Sequence, residues 1–155
     1  MNDFRRAVAA CAVVLLTSCA HQTSSFDDAR DARRVRAIFE DLDDRSLPAG
    51  EQIRNYTDDV VLLEPDEPEV RGLDALEARL SEFGRGVDLA TSHEIVELTS
   101  FDDIVVVQGK VTGTAQPDGD PNAYAFETKN IIIFKRSRDG GLKIWKVIYN
   151  AAPVS

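Results

Sequence analysis

The chain has 155 residues, of which 27 are acidic and 18 are basic, and its formal net charge at pH 7 is −9. This length suits one domain of ordinary size. The acidic balance argues against a protein that binds nucleic acid or anionic lipid through general electrostatics, because both partners are negatively charged.

Residues 1–18 have the pattern of a lipoprotein signal peptide. Arg5 and Arg6 supply the positive start, and the apolar run over residues 7–16 is too short for a bilayer, which needs about 20 apolar residues. The run ends in Leu-Thr-Ser-Cys at residues 16–19, which resembles the lipobox of bacterial lipoproteins. The resemblance implies cleavage before Cys19 and acylation of its thiol.

An ordinary secretory leader with a chance cysteine near its end is the alternative interpretation. We expect lipidation because small residues precede Cys19 and a polar segment follows it. In Gram-negative lipoproteins a residue such as Ala20 after the cysteine implies sorting to the outer membrane, where the domain would face the periplasm. Cys11 would leave with the leader, so no free thiol would remain for a disulfide or a nucleophile. Acyl chains would then attach the protein to the membrane.

Residues 19–27 are predicted to be a flexible polar tether, and helical periodicity begins at Asp28. A first helix over Asp28–Asp44 is predicted from apolar residues at helical spacing, which are Val35, Ile38, Phe39 and Leu42. Pro48 breaks this pattern and suits the first turn of a second, short helix. That helix is predicted to run to about Tyr56.

The segment from Tyr56 to Gly72 is the passage around which we expect the domain to be organised. Residues 56–59 have the pattern of a last helical turn, and the apolar strand that follows ends at Glu64. Prolines at positions 65 and 68 lack backbone donors and stop the strand. Gly72 then opens a third helix, whose apolar face is predicted to be Leu73, Leu76, Leu80 and Phe83.

The remainder of the chain predicts strands at about His93–Ser100, Ile104–Thr114, Tyr124–Arg136 and Leu142–Ala151. Turn-forming Asp, Gly and Pro residues separate them, as they do in hairpins. Three helices followed by a long antiparallel meander predict an α+β domain with the sheet curled around the helices.

Residues 56–65, together with residues 72–76 and the final pair of strands, resemble the nuclear transport factor 2-like superfamily, which includes SnoaL-like domains and ketosteroid isomerase. The resemblance covers residues 28–153. It implies a cone-shaped, curved antiparallel sheet wrapped around the helices, with a pocket for an unknown small apolar molecule inside. Because that fold hosts many unrelated activities, function has to be argued from the site.

Strand alternation predicts which side chains face such a pocket. On the strand Tyr124–Arg136 the inward set is Phe126, Thr128, Asn130, Ile132 and Phe134. On the last strand Trp145, Val147 and Tyr149 are predicted to share one face.

The opposite face of the sheet is predicted to carry Ile131 and Ile133. An antiparallel sheet with one wet face does not need isoleucines there. Many members of the superfamily dimerise through this outer face, so the resemblance implies a homodimer. The chance exposure of two isoleucines is the alternative.

The main chemical hypothesis concerns Glu64, which the resemblance places where ketosteroid isomerase has its general base. A carboxylate at a strand end, facing an apolar pocket, would shuttle a proton. Asn130 falls where the isomerase has a protonated Asp that donates to an oxyanion, and an amide also donates. The isomerase carries a tyrosine on its first helix that residues 28–44 lack. The alternative for Glu64 is a solvated carboxylate in an acidic loop.

Five further residues are predicted as ligand contacts: Tyr56, His93, Thr128, Trp145 and Tyr149. For the aromatic residues, a role in the core is the alternative. His93 is the only histidine of the predicted domain, and a packed or surface position is its alternative. With no second histidine and no free cysteine in the domain, we expect no metal site and no cofactor.

Two classes of function fit these features. One is a non-catalytic module on an envelope lipoprotein that binds a small molecule or takes part in assembly. The other is a small-molecule isomerase, cyclase or dehydratase with Glu64 as general acid and base. An enzyme requires Glu64, Asn130 and His93 to meet at one cavity.

Overall fold

The structure is a computed structural model and describes residues 28–83 and 85–152. The predicted signal peptide, the predicted acylation site Cys19 and the predicted polar tether lie outside the described residues. Within those two ranges, no helix is both long enough and apolar enough to cross a membrane.

Helices and strands follow the predicted order, with one additional short strand. The elements are α1 (Asp28–Asp43), α2 (Ala49–Gln52), β1 (Tyr56–Leu63), β2 (Val70–Arg71), α3 (Leu73–Phe83), β3 (Val87–Ser100), β4 (Ile104–Pro117), β5 (Tyr124–Arg136) and β6 (Leu142–Ala152). A 3-10 turn, Ile53–Asn55, joins α2 to β1. The first helix, the third helix and the four long strands are confirmed, although β3 begins at Val87 rather than near His93.

The strands form one curved sheet in the order β2-β1-β6-β5-β4-β3. Four of its neighbouring pairs are antiparallel, as predicted. The pair β1–β6 is parallel, so the sheet is mixed and the expectation of a purely antiparallel sheet is wrong at this position. Parallel pairing is possible because most of the chain, rather than a hairpin, connects these two strands.

Tyr56–Asp59 belongs to β1. The sequence pattern predicted the last turn of a helix here, and that prediction is wrong. The 3-10 turn ends at Asn55, and Tyr56 already pairs with Ile144 of β6. The register of this pairing shifts between Tyr56 and Val61, so the polar residues between them lie in an irregular part of the strand. Pairing with the edge of β6 has overridden the local pattern.

The first turn of α1 is attached to the sheet by a buried ion pair. The side chain of Asp31, whose residue is 2% exposed, accepts two hydrogen bonds from Arg136 of β5, at 2.8 and 2.6 Å. Ser100 Oγ at the end of β3 donates a third, at 2.8 Å. The Arg136 guanidinium, acting against burial, holds the pKa of the Asp31 carboxyl below its usual value. This pair fixes the position of α1 relative to the sheet.

The hydrophobic core lies at the end of the domain where Asp31 pairs with Arg136. Phe134 lies in one row across the sheet with Val105, Ile144 and Tyr56, since these residues are successive cross-strand partners. The apolar side of α1 packs on this layer through Val35, Ile38 and Phe39, all of them buried. Farther from this row, the space between sheet and helices is left open.

The outer face of the sheet carries exposed apolar side chains. Ile131 lies there, as predicted, and its cross-strand partner Ile148 is also exposed. Leu63 of β1 pairs with Ile148 and extends the same apolar row. The homodimer through this face stays a prediction.

Candidate functional site

A cavity of about 950 Å³ lies between the inner face of the sheet and the three helices. Its wall is mainly apolar, with side chains from both layers, among them Leu42, Leu62, Leu80, Val111, Phe126 and Val147. This volume and this lining are typical of sites for small organic molecules.

His93 of β3 forms part of this wall and is bound to Asp43, the last residue of α1. The ring Nδ1 lies 2.6 Å from Asp43 Oδ1, and the backbone N–H of His93 donates to Asp43 Oδ2 at 2.8 Å. Thr91 Oγ1 donates to Asp43 Oδ1 at 2.9 Å. Because the carboxylate can only accept, Nδ1 carries a proton, and Nε2 is the ring nitrogen that is not engaged by Asp43.

The surroundings of Asp43 favour its ionised form. Burial acts to raise the pKa of this carboxyl, but the hydrogen bonds from His93 and Thr91 outweigh it and hold the pKa below its usual value. The ring of Phe39 packs against the imidazole, with 5.0 Å between the ring centroids. An imidazole oriented in this way by a carboxylate is the arrangement that proteins use for a general base.

Asn130 of β5 is 6% exposed and lines the same cavity. Its Oδ1 is enclosed without a hydrogen-bond partner among the residues that the structure describes. This oxygen lies over Gly109, its cross-strand neighbour, where any Cβ would collide with it. Since Oδ1 is enclosed, Nδ2 is the remaining polar atom of the amide, and we expect it to be the one that a ligand in the cavity contacts.

Strand pairing fixes the separation of His93 and Asn130. His93 pairs with Val111, which pairs with Thr128, and Asn130 lies two residues farther along β5. Neighbouring strands are about 4.8 Å apart and each residue adds about 3.4 Å, so the two Cα atoms are about 12 Å apart. Two side chains at this distance can bracket a ring-sized molecule.

Glu64 also reaches this cavity, beyond the end of β1. Its side chain is 4% exposed, so the alternative of a solvated carboxylate is wrong. Both of its oxygens are engaged: Oε2 accepts from Arg79 Nε of α3 at 2.7 Å, and Oε1 accepts from the hydroxyl of Tyr149 at 2.7 Å. Burial raises the pKa of the Tyr149 phenol, and the bond to Glu64 raises it further, so this phenol keeps its proton.

A family model described as a SnoaL-like domain matches residues 35–147. The chain belongs to the SnoaL-like family. No curated protein matches the chain.

Solved structures similar to this SnoaL-like domain confirm the predicted nuclear transport factor 2-like α+β fold. A ketosteroid isomerase-like protein from Erwinia carotovora atroseptica has a TM-score of 0.72 and 19% identity, over 83% of this chain and 99% of that chain. The hexachlorocyclohexane dehydrochlorinase LinA-type3 from Novosphingobium barchaimii has a TM-score of 0.67 and 16% identity, over 81% and 90%. A putative scytalone dehydratase from Novosphingobium aromaticivorans has a TM-score of 0.64 and 15% identity, over 79% and 82%.

The SnoaL-like domain gathers at its cavity all but one of the predicted site residues. Glu64, Asn130, Tyr56, His93, Thr128 and Tyr149 all line it. Burial raises the pKa of the Tyr56 phenol to about 12. In residues 28–83 and 85–152, no group of three or more His, Cys, Asp or Glu side chains could hold a metal ion.

Trp145 is the exception, because it lies outside the cavity, contrary to prediction. Its indole Nε1 donates to Asp59 Oδ2 at 3.1 Å. The ammonium groups of Lys135 and Lys146 lie 4.2 and 4.3 Å from the centroid of its ring. Lys135 in turn donates to Asp59 at 2.6 Å, so the indole belongs to a charged cluster on the outer face.

A bulge in β6 explains this position. The pairing of β5 with β6 shifts between Ile133 and Phe134, which leaves Trp145 without a partner. Ile144 therefore faces the core and Val147 faces the cavity, and the alternation restarts between them. The predicted common face of Trp145 with Val147 and Tyr149 is wrong because strict alternation fails at a bulge.

Asp43 was not predicted as a site residue. This residue is one of several acidic residues near the end of α1, and nothing in its local pattern distinguishes it. The available signal was indirect: a single histidine on a strand, which needs a partner to orient it, and a helix that ends in carboxylates. Arg79 was missed for the same reason, since its partner Glu64 is 15 residues away.

Proposed function

We propose that this SnoaL-like domain is a small-molecule enzyme in which His93, oriented by Asp43, takes a proton from a carbon atom of an apolar substrate. The observation that carries the proposal is the half-buried Asp43–His93 pair in the wall of a mainly apolar cavity. When Nε2 accepts a proton, the imidazolium that forms lies beside the Asp43 carboxylate, which stabilises it.

Proton removal from carbon requires a group that stabilises the resulting negative charge. If the acidic carbon lies next to a carbonyl, the charge moves to the carbonyl oxygen. Asn130 Nδ2, on the other side of the cavity, would donate to that oxygen. The apolar wall between the two residues would exclude water and strengthen this interaction.

Isomerisation, cyclisation and elimination are the reactions that begin with such a proton transfer. Two proteins of similar structure are a hexachlorocyclohexane dehydrochlorinase and a putative scytalone dehydratase, and both names denote eliminations. This agreement supports the reaction class and not a particular substrate.

Glu64 as the general acid and base remains the alternative within the enzyme hypothesis. Its ion pair with Arg79 and the hydrogen bond from Tyr149 favour a different role, because each carboxylate oxygen already accepts a hydrogen bond and a substrate proton would compete with these partners. We therefore assign the base to His93 and a positioning role to Glu64.

Hydrogen–deuterium exchange at carbon 2 of 1-tetralone, followed by proton NMR in D₂O, tests the assignment. The wild-type protein should accelerate the exchange, and His93→Gln should slow it by about 10²–10⁴-fold. Glu94→Gln is the matched control, since Glu94 is the next residue of β3 and its side chain is 63% exposed. Equal exchange rates for wild type and His93→Gln would contradict the proposal: equal rates above the uncatalysed rate would favour Glu64 as the base, and rates equal to the uncatalysed rate would favour a non-catalytic binding module.

We also propose that acylation of Cys19 anchors the domain to the bacterial outer membrane, where it faces the periplasm. The lipobox-like residues 16–19 support this. Cys19→Ser should abolish the lipid mass and remove the protein from the membrane fraction. A Cys19→Ser protein that stays membrane-bound with the wild-type mass would show that the motif is not used.

A further inference from the structure

We infer that Tyr149 makes the cavity selective for a hydroxyl-bearing ligand, because its oxygen is presented only as a hydrogen-bond acceptor. The inference rests on the proposed function in one respect, namely that the same cavity is the binding site.

The Tyr149 hydroxyl already donates its proton in a hydrogen bond to Glu64. Glu64 Oε1 lies 2.7 Å from this hydroxyl, while Glu64 Oε2 accepts from the Arg79 guanidinium. A carboxylate in an ion pair accepts hydrogen bonds and does not donate them, so Tyr149 is the donor. A phenol has a single proton, and its oxygen can therefore only accept from a ligand.

The position of Tyr149 directs this acceptor to the ligand. Tyr149 lines the cavity from β6 and is the direct cross-strand partner of Asn130. The Cβ atoms of such partners are about 5 Å apart. One pair of neighbours thus offers a donor, Asn130 Nδ2, and an acceptor, Tyr149 Oη. The complementary ligand carries a carbonyl-type oxygen and, separately, a hydroxyl group.

Thr128, on the same strand as Asn130, does not make this distinction. The hydroxyl of Thr128 can rotate and either donate or accept, so it tolerates both kinds of ligand. Tyr149 is different because Glu64 fixes its proton. A ligand with only hydrocarbon or an ether oxygen at this point would bury the Tyr149 lone pairs without a donor, and such unpaired groups reduce affinity.

Three probes that differ at one carbon test the inference: 4-hydroxy-1-tetralone, 4-methoxy-1-tetralone and 1-tetralone. Dissociation constants come from NMR titrations of the wild-type protein. The alcohol should bind about tenfold more tightly than the ether and the parent ketone, as expected for one additional hydrogen bond. Equal affinity of the three probes would overturn the inference without any variant.

Tyr149→Phe removes the acceptor and keeps the ring. In this variant the preference for the alcohol should fall to less than about twofold, because the lone pairs that only the alcohol satisfies are gone. A preference that survives the substitution would also overturn the inference. Thermal unfolding of Tyr149→Phe shows whether the variant is folded. If it is not folded, the affinities of the wild-type protein for the three probes decide the question.

His93→Gln separates this inference from the proposed function. The variant should lose exchange at carbon 2 and keep the preference for the alcohol. Exchange that persists in His93→Gln would contradict the base assignment alone. If the wild-type protein showed no preference for the alcohol, only the role of Tyr149 would be contradicted, and the base assignment would stand.

Discussion

Helix α1 carries a buried or half-buried carboxylate near each end, and the two differ in what they bind. Asp31 in the first turn pairs with Arg136 and Ser100, and Asp43 in the last turn binds His93 and Thr91. Hydrogen bonds lower the pKa of both carboxyls. At each end, therefore, an aspartate carboxylate is hydrogen-bonded to one basic side chain and one hydroxyl group of the sheet.

The partner decides what each end can do. An arginine stays protonated at any pH that a protein tolerates, so the Asp31 pair can only hold α1 on the sheet. An imidazole nitrogen can accept a proton from a ligand, and His93 lines the cavity whereas Arg136 does not line it. One helix thus uses the same side chain for attachment at one end and for chemistry at the other.

Breaking the attachment should have the largest effect on stability. Arg136→Leu leaves the buried Asp31 carboxylate with only Arg34, at 3.6 Å, as a cation, which should reduce the free energy of unfolding by up to about 3–5 kcal/mol. Urea denaturation measures the change. Arg54→Leu is the control, because its pair with Asp41 is exposed and should contribute less than about 1 kcal/mol. Similar losses for both variants would mean that burial does not distinguish the two pairs.

The same comparison predicts that Asp43→Asn affects activity rather than folding. The His93 backbone N–H requires the amide oxygen as its acceptor, so the NH₂ group would face Nδ1 and donate to it. The imidazole proton then moves to Nε2 and the base is lost. Exchange at carbon 2 of 1-tetralone should slow by about a hundredfold or more. The free energy of unfolding should change by less than about 2 kcal/mol. A folded Asp43→Asn protein with wild-type exchange would remove Asp43 from the mechanism.

Gly109→Ala tests the other wall of the cavity. The added Cβ would collide with the Asn130 side chain, which should reduce the free energy of unfolding by about 1–3 kcal/mol and weaken the binding of 1-tetralone. Gly50→Ala is the control, since in α2 the nearest atom is the flexible end of Glu77. Thermal unfolding and NMR titration of both variants measure the difference. Unchanged binding in a folded Gly109→Ala protein would show that Asn130 does not contact the ligand.

The smallest effect on the free energy of unfolding is expected when the pH is lowered. Because the folded-state pKa of Asp31 is lowered, its contribution to stability is complete above the unfolded value of about 3.9 and is lost as pH falls through the folded-state pKa. The difference in unfolding free energy between wild type and Asp31→Asn should therefore be constant above about pH 5 and shrink below pH 4. Urea denaturation from pH 6 to pH 2 measures it. A difference that stays constant over this range would contradict the assignment.

Local patterns in the sequence predict much of this fold. The apolar spacing in α1 and α3, the turn residues between the long strands and the alternation in β5 all correspond to the observed structure. The parallel pairing of β1 with β6 was not predictable in this way, because it joins residues far apart in the chain. The bulge at Trp145 was not predictable either, since no turn residue marks it.

The candidate site was predicted only in part for the same reason. Alternation placed Asn130 and Thr128 on the inner face, and the resemblance drew attention to Glu64. Asp43 and His93 are 50 residues apart, and Tyr149 and Glu64 are 85 residues apart. Contacts over such separations depend on how the sheet bends around the helices, which composition and periodicity do not determine.

The displacement of Trp145 to the outer face also determines what its fluorescence reports. It is the only tryptophan of the chain, and its indole lies in a cluster with Asp59, Lys135 and Lys146. A small molecule that enters the cavity should leave its emission maximum unchanged, because the sheet separates the two. Association at the outer face should shift the emission, so one spectrum can distinguish self-association from ligand binding.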